Sequence, residues 1–182
     1  MKATRTDLGL LLIKPDIYHD DRGFFTESYN YAQFNKELRR LDYPIIDFDQ
    51  DNHSVSHEGV FRGFHYQVPP YAQSKLIWCS SGKITDIAID IRPNSDTFGQ
   101  AEVFDLSEDN HLQLFIPKGF AHGFLAITEG AKIHYKCDGY YMPGYEGGIN
   151  PNEAFKYIHP DNWIISDKDR SLPVFGKHRR FV

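Results

Sequence analysis

The chain has 182 residues, a length that predicts one domain over residues 1–182. Hydrophobic residues make up 41% and charged residues 25%, and these fractions exclude a disordered or fibrous chain. A net charge of −5 argues against a nucleic-acid partner, which normally requires a basic excess. The same charge still allows a few Arg and Lys side chains to hold one phosphorylated small molecule.

The first apolar run, Leu10–Ile13, is too short for a signal segment or a transmembrane helix. Two cysteines, Cys79 and Cys137, stand far apart and form neither a disulfide framework nor a CxxC metal motif. We therefore expect a soluble, cytoplasmic protein with reduced cysteines and no membrane partner.

One segment near the N-terminus has the period of a helix. Within Tyr31–Leu41, the apolar residues Phe34, Leu38 and Leu41 recur at i, i+4 and i+7. Asn30, directly before this segment, is a residue type that favours the N-cap position. We predict a helix from Tyr31 to Leu41.

Most of the remaining chain has the period of strands. Apolar and polar residues alternate in Lys83–Arg92, His111–Ile116 and Lys132–Cys137, and the alternation places Tyr135 on the inward face. Clusters of Gly, Pro, Asn and Asp separate these runs, and the tail from about Asn150 predicts turns and a short helix. Many short strands with regular turns predict an all-β sandwich or barrel, which can enclose one small ligand.

The stretch Arg62–Gln67 and the nearby Lys75 place a histidine between two cations. Arg suits forked contacts with phosphate, and His is the natural proton carrier near neutral pH. An ordinary surface strand with an exposed His is the alternative. In a regular strand Arg62 and His65 point to opposite faces, so a shared site requires an irregularity near Gly63, which we predict.

The stretch Phe115–Phe124 contains Pro117-x-Gly119-x-x-His122, which resembles the second signature of the cupin barrels. In cupins that histidine points into the barrel and often binds a metal. The first cupin motif requires His-x-His, whereas this chain has His65-Tyr66-Gln67. Because catalytic metals need about three protein ligands, we expect a cupin-like barrel without a metal. A metal-binding version stays open as the alternative.

Four further features allow two interpretations each. Tyr135 could exchange protons in a polar lumen or simply pack in the core. The cluster Ser166–Arg170 could place a carboxylate against a histidine, although a solvated turn is the more common outcome. Asp21–Glu27 could hold a nucleotide or form an edge strand, and Gln50–Ser54 carries amides and a hydroxyl that could contact a base or a sugar.

Taken in order, these blocks resemble the dTDP-4-dehydrorhamnose 3,5-epimerase family from about Leu11 to Pro173. The resemblance implies an all-β, cupin or jelly-roll-type antiparallel barrel with a few short helices. It also implies a homodimer that needs no metal or organic cofactor. The implied substrate is a nucleotide-linked 4-keto-6-deoxyhexose, most often dTDP-linked. The implied reaction inverts C3 and C5 to supply rhamnose or a similar sugar for cell-surface polysaccharides.

The resemblance also implies residue roles. His65 corresponds to the catalytic base and Asp169 to its partner, Tyr135 to the acid on the opposite face of the sugar, and Lys75 to the lysine near the C4 carbonyl. Some binding positions are reached across the dimer interface, and we expect Phe25 among the rings that line the lumen. The implied substrate-binding residues are Arg22, Phe25, Glu27, Gln50, Asn52, Ser54, Arg62, His122, Tyr141 and Arg170.

One segment departs from the family pattern. The family usually carries a Trp after the tyrosine strand, whereas Gly148–Pro160 has none and is slightly short. Other functions therefore stay open at this stage. The same fold could invert only C3 or only C5, or use another nucleotide sugar. A metal-dependent cupin and a non-catalytic module that binds sugar nucleotides are alternatives from other classes.

Overall fold

The computed structural model describes residues 1–159 and 163–182. The strands are β1 (Lys2–Arg5), β2 (Leu11–Lys14), β3 (Ile17–Asp20), β4 (Gly23–Thr26), β5 (Gln50–Ser56), β6 (Phe61–Gln67), β7 (Lys75–Ser81), β8 (Lys83–Asp90), β9 (Ala101–Ser107), β10 (Gln113–Ile116), β11 (Phe120–Ala126), β12 (Ala131–Cys137) and β13 (Glu146–Gly148). The helices are α1 (Tyr31–Arg40), α2 (Asp167–Arg170) and two 3₁₀ helices, Pro143–Tyr145 and Pro151–Lys156. Within these described residues, no helix is long and apolar enough to cross a bilayer.

Two antiparallel sheets build the barrel. The first has the order β1-β2-β10-β7-β12-β5, and the second has the order β13-β6-β11-β8-β9. Strands β3 and β4 form a separate hairpin. Apart from the consecutive pairs β1–β2 and β8–β9, strands adjacent in the sheets are distant in sequence, so connections cross between the sheets as in a jelly roll. This architecture confirms the predicted all-β, cupin-type barrel.

The main core lies between the two sheets. Ile77 and Ile133 from the first sheet pack against Ile84 and Phe124 from the second, and all four side chains are buried. Burial of such a side chain stabilises the fold by about 1.5–3 kcal/mol. This core closes one part of the barrel and leaves the other part open.

Helix α1 confirms the helix predicted from periodicity, ending one residue earlier, at Arg40. The Asn30 side chain accepts a hydrogen bond from the backbone N–H of Gln33 and caps the first turn, as expected. Phe34 and Leu38 are fully buried against the outer face of the first sheet. The amphipathic stripe therefore covers part of that face.

Three predicted strands are present with adjusted ends. β8 ends at Asp90, and both of its faces are buried because the C-terminal tail packs on the outer side of the second sheet. β10 begins at Gln113 because His111 has a left-handed φ of 53°. β12 begins at Ala131 and keeps Tyr135 on the inward face, as predicted. The tail forms turns, a 3₁₀ helix and α2, also as predicted.

Strand β6 is irregular near Gly63, as the sequence predicts. Its register against β11 shifts: His65 lies opposite His122, but Arg62 lies opposite Phe124. Three steps along β6 therefore match two steps along β11, which is the pattern of a β-bulge. Gly63 adopts a φ of 131°, and a Cβ there would lie 2.5 Å from the Cα of Gly123. The bulge needs glycine because of its conformation and because the two backbones approach closely.

Gly63→Ala should destabilise the protein by roughly 3 kcal/mol, since the new methyl group meets backbone and the φ disfavours any side chain. Urea unfolding followed by circular dichroism measures this loss. Gly130→Ala is the matched control: φ is 70° there, but nothing lies within 4 Å of the added carbon. Equal losses in the two variants would contradict the proposed effect of close packing.

Candidate active site

Two connected cavities open between the sheets at the end of the barrel that the main core leaves free. The first has a volume of about 340 Å³ and the second about 370 Å³. His65, Lys75 and Tyr135 line both cavities, so the two form one groove with these three side chains at its centre. His65 comes from the second sheet, whereas Lys75 and Tyr135 come from the first.

His65 is paired with Asp169 of helix α2. Its Nε2 lies 2.7 Å from the Asp169 Oδ1, although the two residues are 104 positions apart in sequence. Asp169 also accepts a hydrogen bond from the backbone N–H of Gly63 at 3.3 Å. Because an ionised carboxylate can only accept, His65 Nε2 carries a hydrogen and Nδ1 remains the proton acceptor.

Asp169 is held as an anion in a nearly dry position. Its residue surface is only 5% exposed, and Ser166 caps its helix by accepting from the Asp169 backbone N–H. Burial raises the pKa of Asp169. The hydrogen bonds and charge from His65, together with the Gly63 N–H, outweigh burial and hold the pKa below its usual value. The Ser166–Arg170 cluster is therefore not the solvated turn favoured by its local pattern.

On the first sheet, Lys75 and Tyr135 present their polar atoms to the groove. Among the described residues, no hydrogen bond or ion pair holds the Lys75 ammonium. Burial lowers the pKa of Lys75, while the negative charges of Asp86 and Glu146 favour the ammonium form. Burial raises the pKa of Tyr135, which keeps its hydroxyl protonated near neutral pH.

A second histidine–aspartate pair lies beside the first. His122 is the direct neighbour of His65 across β11 and β6, and its Nε2 lies 2.7 Å from the Asp86 Oδ2. Asp86 is fully buried. Burial lowers the pKa of His122, although Asp86 opposes that shift. Asp86 is not among the residues expected from the sequence; its signal is a charged residue in mid-strand, between Ile84 and Ala88 on the same face.

Arg62 and Ser54 complete the first cavity. The Arg62 Nε donates to the Ser56 Oγ at 3.0 Å, which fixes the guanidinium on the same side of β6 as His65. This placement is what the bulge at Gly63 makes possible. The Ser54 Oγ is buried and has no hydrogen-bond partner in the part of the chain that the structure describes.

The second cavity contains amides and an aromatic ring. Gln50 and Asn52 lie side by side on β5, with the Gln50 Nε2 donating to the Asn52 Oδ1 at 2.8 Å. Tyr141 and Glu146 also line this cavity, joined by a hydrogen bond of 3.2 Å, and the Tyr141 backbone N–H donates to the Gln50 Oε1 at 3.3 Å. Our sequence analysis included Tyr141 but missed Glu146 and its ion-pair partner Lys168.

Four of the expected binding residues do not line the groove of this chain. Arg22 pairs with Asp20 on the exposed β3–β4 hairpin, and Glu27 lies exposed after that hairpin. Phe25 is 65% exposed and does not line the lumen of its own barrel, so the expectation that it lines a lumen can hold only across an interface with a second chain. Arg170 lies exposed on α2, where its Nε donates to a backbone carbonyl. Arg22 and Phe25 belong to this separate two-stranded unit and Glu27 follows it, which explains why these three residues lie outside the groove.

The segment without the expected Trp is described as far as residue 159; Pro160 lies outside the described residues. Gly148 pairs with His65 across β13 and β6, and Ile149 is fully buried. Within residues 1–159 and 163–182, no group of three His, Cys, Asp or Glu side chains converges closely enough to hold a metal ion.

The fold and groove together define a cupin-type barrel whose two sheets present proton-transfer groups to one cavity. The family model described as dTDP-4-dehydrorhamnose 3,5-epimerase matches residues 6–177. The chain therefore belongs to the dTDP-4-dehydrorhamnose 3,5-epimerase family.

Individual relatives agree with this assignment. A dTDP-4-dehydrorhamnose 3,5-epimerase of Escherichia coli K12 is 44% identical over 176 residues, which cover 94% of this chain and 93% of the relative. A structure of the Bacillus anthracis enzyme with TDP and PPi bound has a TM-score of 0.86 and 43% identity, covering 95% and 98% of the two chains. A Legionella pneumophila dTDP-6-deoxy-D-glucose-3,5-epimerase in complex with dTDP-4-keto-L-rhamnose has a TM-score of 0.87 and 38% identity, covering 95% and 92%.

The Asp169 carboxylate should make stability depend on pH. The pKa of Asp169 is lower in the folded state than in the unfolded chain, where it is about 4. Its contribution to the free energy of unfolding is therefore present above the unfolded-state pKa and disappears as the pH falls through the folded-state pKa. Asp169→Asn should therefore be less stable than the natural protein at neutral pH, and the gap should close in acid. Urea unfolding between pH 7 and pH 3 measures this gap; Asp167→Asn, an exposed change on the same helix, is the control. A gap that stays constant into acid would contradict the assignment.

Proposed function

We propose that this protein inverts C3 and C5 of a dTDP-linked 4-keto-6-deoxyhexose by proton transfer, without help from a metal or organic cofactor. The observation that carries the proposal is the groove in which His65, paired with Asp169 at 2.7 Å, faces Tyr135 from the opposite sheet. Inversion needs a base on one face of the sugar and an acid on the other, and these two side chains supply them. The names of the relatives support the choice of substrate.

The first step is removal of a proton. A C4 ketone acidifies the hydrogens on C3 and C5, and His65 takes one of them on Nδ1. Asp169 holds the ring in this tautomer and stabilises the imidazolium that forms. A positioned base of this kind accelerates proton transfer by about 10²–10⁴-fold.

The electrons from the broken C–H bond move to the ketone oxygen, giving an enolate. Lys75 is suited to stabilise that oxygen, because its ammonium lies in the groove with no competing partner among the described residues. A donor that is already in place costs no reorganisation when the charge develops. The substrate thus carries its own electron sink.

Tyr135 completes the inversion by donating its hydroxyl proton to the opposite face of the enolate. Its raised pKa keeps it protonated until the carbanion forms. Proton exchange with solvent then resets both groups, and the same sequence at the second carbon inverts that centre.

The rest of the groove suits a nucleotide sugar. Arg62 offers a guanidinium for a phosphate oxygen, with Ser54 and His122 beside the sugar position. Gln50, Asn52 and Tyr141 offer amides and a ring for the nucleoside in the second cavity. This division into a sugar cavity and a nucleoside cavity supports one elongated ligand across both.

We further infer a homodimer in which each chain forms one domain over residues 1–182. The hairpin residues Arg22, Phe25 and Glu27 lie outside their own groove, and the aromatic ring of Phe25 is exposed. In the dimer, these side chains would contact the nucleotide bound to the partner. Exposed aromatic rings beside a cation are typical of such interfaces.

Solvent deuterium exchange tests the mechanism. In D₂O with a dTDP-linked 4-keto-6-deoxyglucose, mass spectrometry should find deuterium at both carbons of the product. His65→Asn should slow both exchange and turnover by about 10²–10⁴-fold, because the base is lost. Tyr135→Phe should slow inversion by at least about 100-fold while His65 still exchanges protons with solvent. Tyr140→Phe is the control, because that ring is exposed and does not line the groove.

The other outcomes separate the alternatives. Deuterium at one carbon only would mean a single-centre epimerase. Turnover that a chelator abolishes would mean a metal-dependent cupin. Full turnover by His65→Asn would overturn the proposed mechanism, and tight binding of dTDP-sugars without any turnover would mean a binding module.

Subunit complementation tests the shared site. His65→Asn alone and an Arg22→Ala/Phe25→Ala double variant alone should each be nearly inactive. If each hairpin serves the partner's groove, an equal mixture re-equilibrated from separated chains should recover about a quarter of natural activity, because each mixed dimer has one intact site. Sedimentation should confirm that both variants remain dimers. A mixture no more active than its components would show that the hairpin does not act in trans.

A further inference from the structure

We propose that Arg179, in the C-terminal tail, is a positioning residue for the second cavity, because it holds the loop that carries Tyr141. This Tyr141 loop comprises residues 138–145 and connects β12 to β13. The inference rests on the proposed function, which places the nucleoside of the substrate beside Tyr141. Arg179 lies beyond residues 6–177, the part of the chain that the family model matches, so family membership assigns it no role.

Tyr141 reaches the second cavity from a loop that the barrel core does not bury. The residue is 50% exposed, so packing alone does not fix its ring. Its direct contacts with the cavity wall are two long hydrogen bonds, from the hydroxyl to Glu146 at 3.2 Å and from the backbone N–H to Gln50 at 3.3 Å. The position of the ring therefore depends on the contacts that hold the loop on either side of it.

Gln67 of β6 holds the residues directly before and after Tyr141. Its buried side chain donates from Nε2 to the Tyr140 carbonyl at 3.3 Å and accepts at Oε1 from the Met142 backbone N–H at 2.6 Å. This anchor fixes the middle of the Tyr141 loop. The 3₁₀ helix Pro143–Tyr145, which leads from there into β13, needs an anchor of its own.

Arg179 supplies an anchor at this end of the loop. Its Nη1 donates to the Gly144 carbonyl at 2.7 Å and to the Glu146 carbonyl at 3.4 Å. The guanidinium also lies over the Tyr145 ring, 5.6 Å from the ring centre, in a cation–π contact. Carbonyls at the end of a short helix lack partners within that helix, and a cationic donor suits them. One side chain thus joins the 3₁₀ helix to the start of β13.

The backbone of Arg179 is attached to the wall of the same cavity. Tyr66, a buried residue of β6 that lines the second cavity, donates its hydroxyl to the Arg179 carbonyl. Burial raises the pKa of Tyr66 to about 12, so this hydroxyl stays protonated and remains a donor. The neighbouring His178 packs edge-on against the Tyr66 ring, with the ring centres 6.2 Å apart. The tail therefore connects a residue of the cavity wall to the Tyr141 loop.

The experiment compares the natural chain with Arg179→Met, Arg179→Lys and the control Arg180→Met, which alters the exposed next residue. Calorimetry measures the Kd for dTDP, and turnover of a dTDP-linked 4-keto-6-deoxyglucose gives KM and kcat. Arg179→Met should raise Kd and KM by about 3–10-fold and keep kcat within about twofold, because the loop contacts the nucleoside and not the reacting carbons. Arg179→Lys should recover part of the affinity, since an ammonium can still donate to the Gly144 carbonyl. Hydrogen exchange of residues 138–145 without ligand should be faster in Arg179→Met than in Arg180→Met.

The split between KM and kcat distinguishes positioning from a general structural role. A loss of kcat as large as the rise in KM would overturn the inference, as would a dTDP affinity or a loop exchange rate equal to that of Arg180→Met. An Arg179→Lys variant that binds dTDP no better than Arg179→Met would do the same. Neither dTDP binding nor hydrogen exchange depends on turnover. A natural chain that binds dTDP but inverts neither carbon would therefore overturn only the proposed function, whereas an unchanged dTDP affinity in Arg179→Met would overturn only the role of Arg179.

Discussion

The groove depends on one constraint, the close approach of the β6 and β11 backbones at Gly63 and Gly123. A regular strand would send Arg62 and His65 to opposite faces. The register shift between the two strands lets both side chains line the same cavity. The Gly63 N–H released at this point also donates to Asp169. A single backbone irregularity thus positions Arg62, His65 and Asp169 around one cavity.

The charges of the groove are arranged in compensating pairs. His65 faces Asp169, and His122 faces Asp86, in both cases at 2.7 Å. The Lys75 ammonium has no such partner among the described residues, although nearby acidic groups favour its charged form. The groove therefore leaves Lys75 without a fixed partner among the described residues, which suits a site where negative charge appears only during the reaction.

The sequence predicts the repetitive parts of this structure well. Periodicity predicts α1 and β12, and the conflict between the faces of Arg62 and His65 predicts the bulge. Local pattern does not predict the pairing of Asp169, because the histidine that contacts it lies 104 positions away in sequence. Only the family resemblance predicts that pairing. Local pattern also misses Glu146 and Lys168, which are ordinary surface residues until β13 and α2 meet. Local pattern likewise does not reveal that Phe25 stands exposed on the β3–β4 hairpin, outside the groove of its own chain.

The order of the chain has a consequence for how activity develops during synthesis. His65 belongs to the sixth strand, whereas Asp169 arrives only after every strand of both sheets has been made. During translation every barrel strand therefore precedes the carboxylate that holds the imidazole. A chain truncated before α2 would keep the sequence of all these strands but lack the partner of His65.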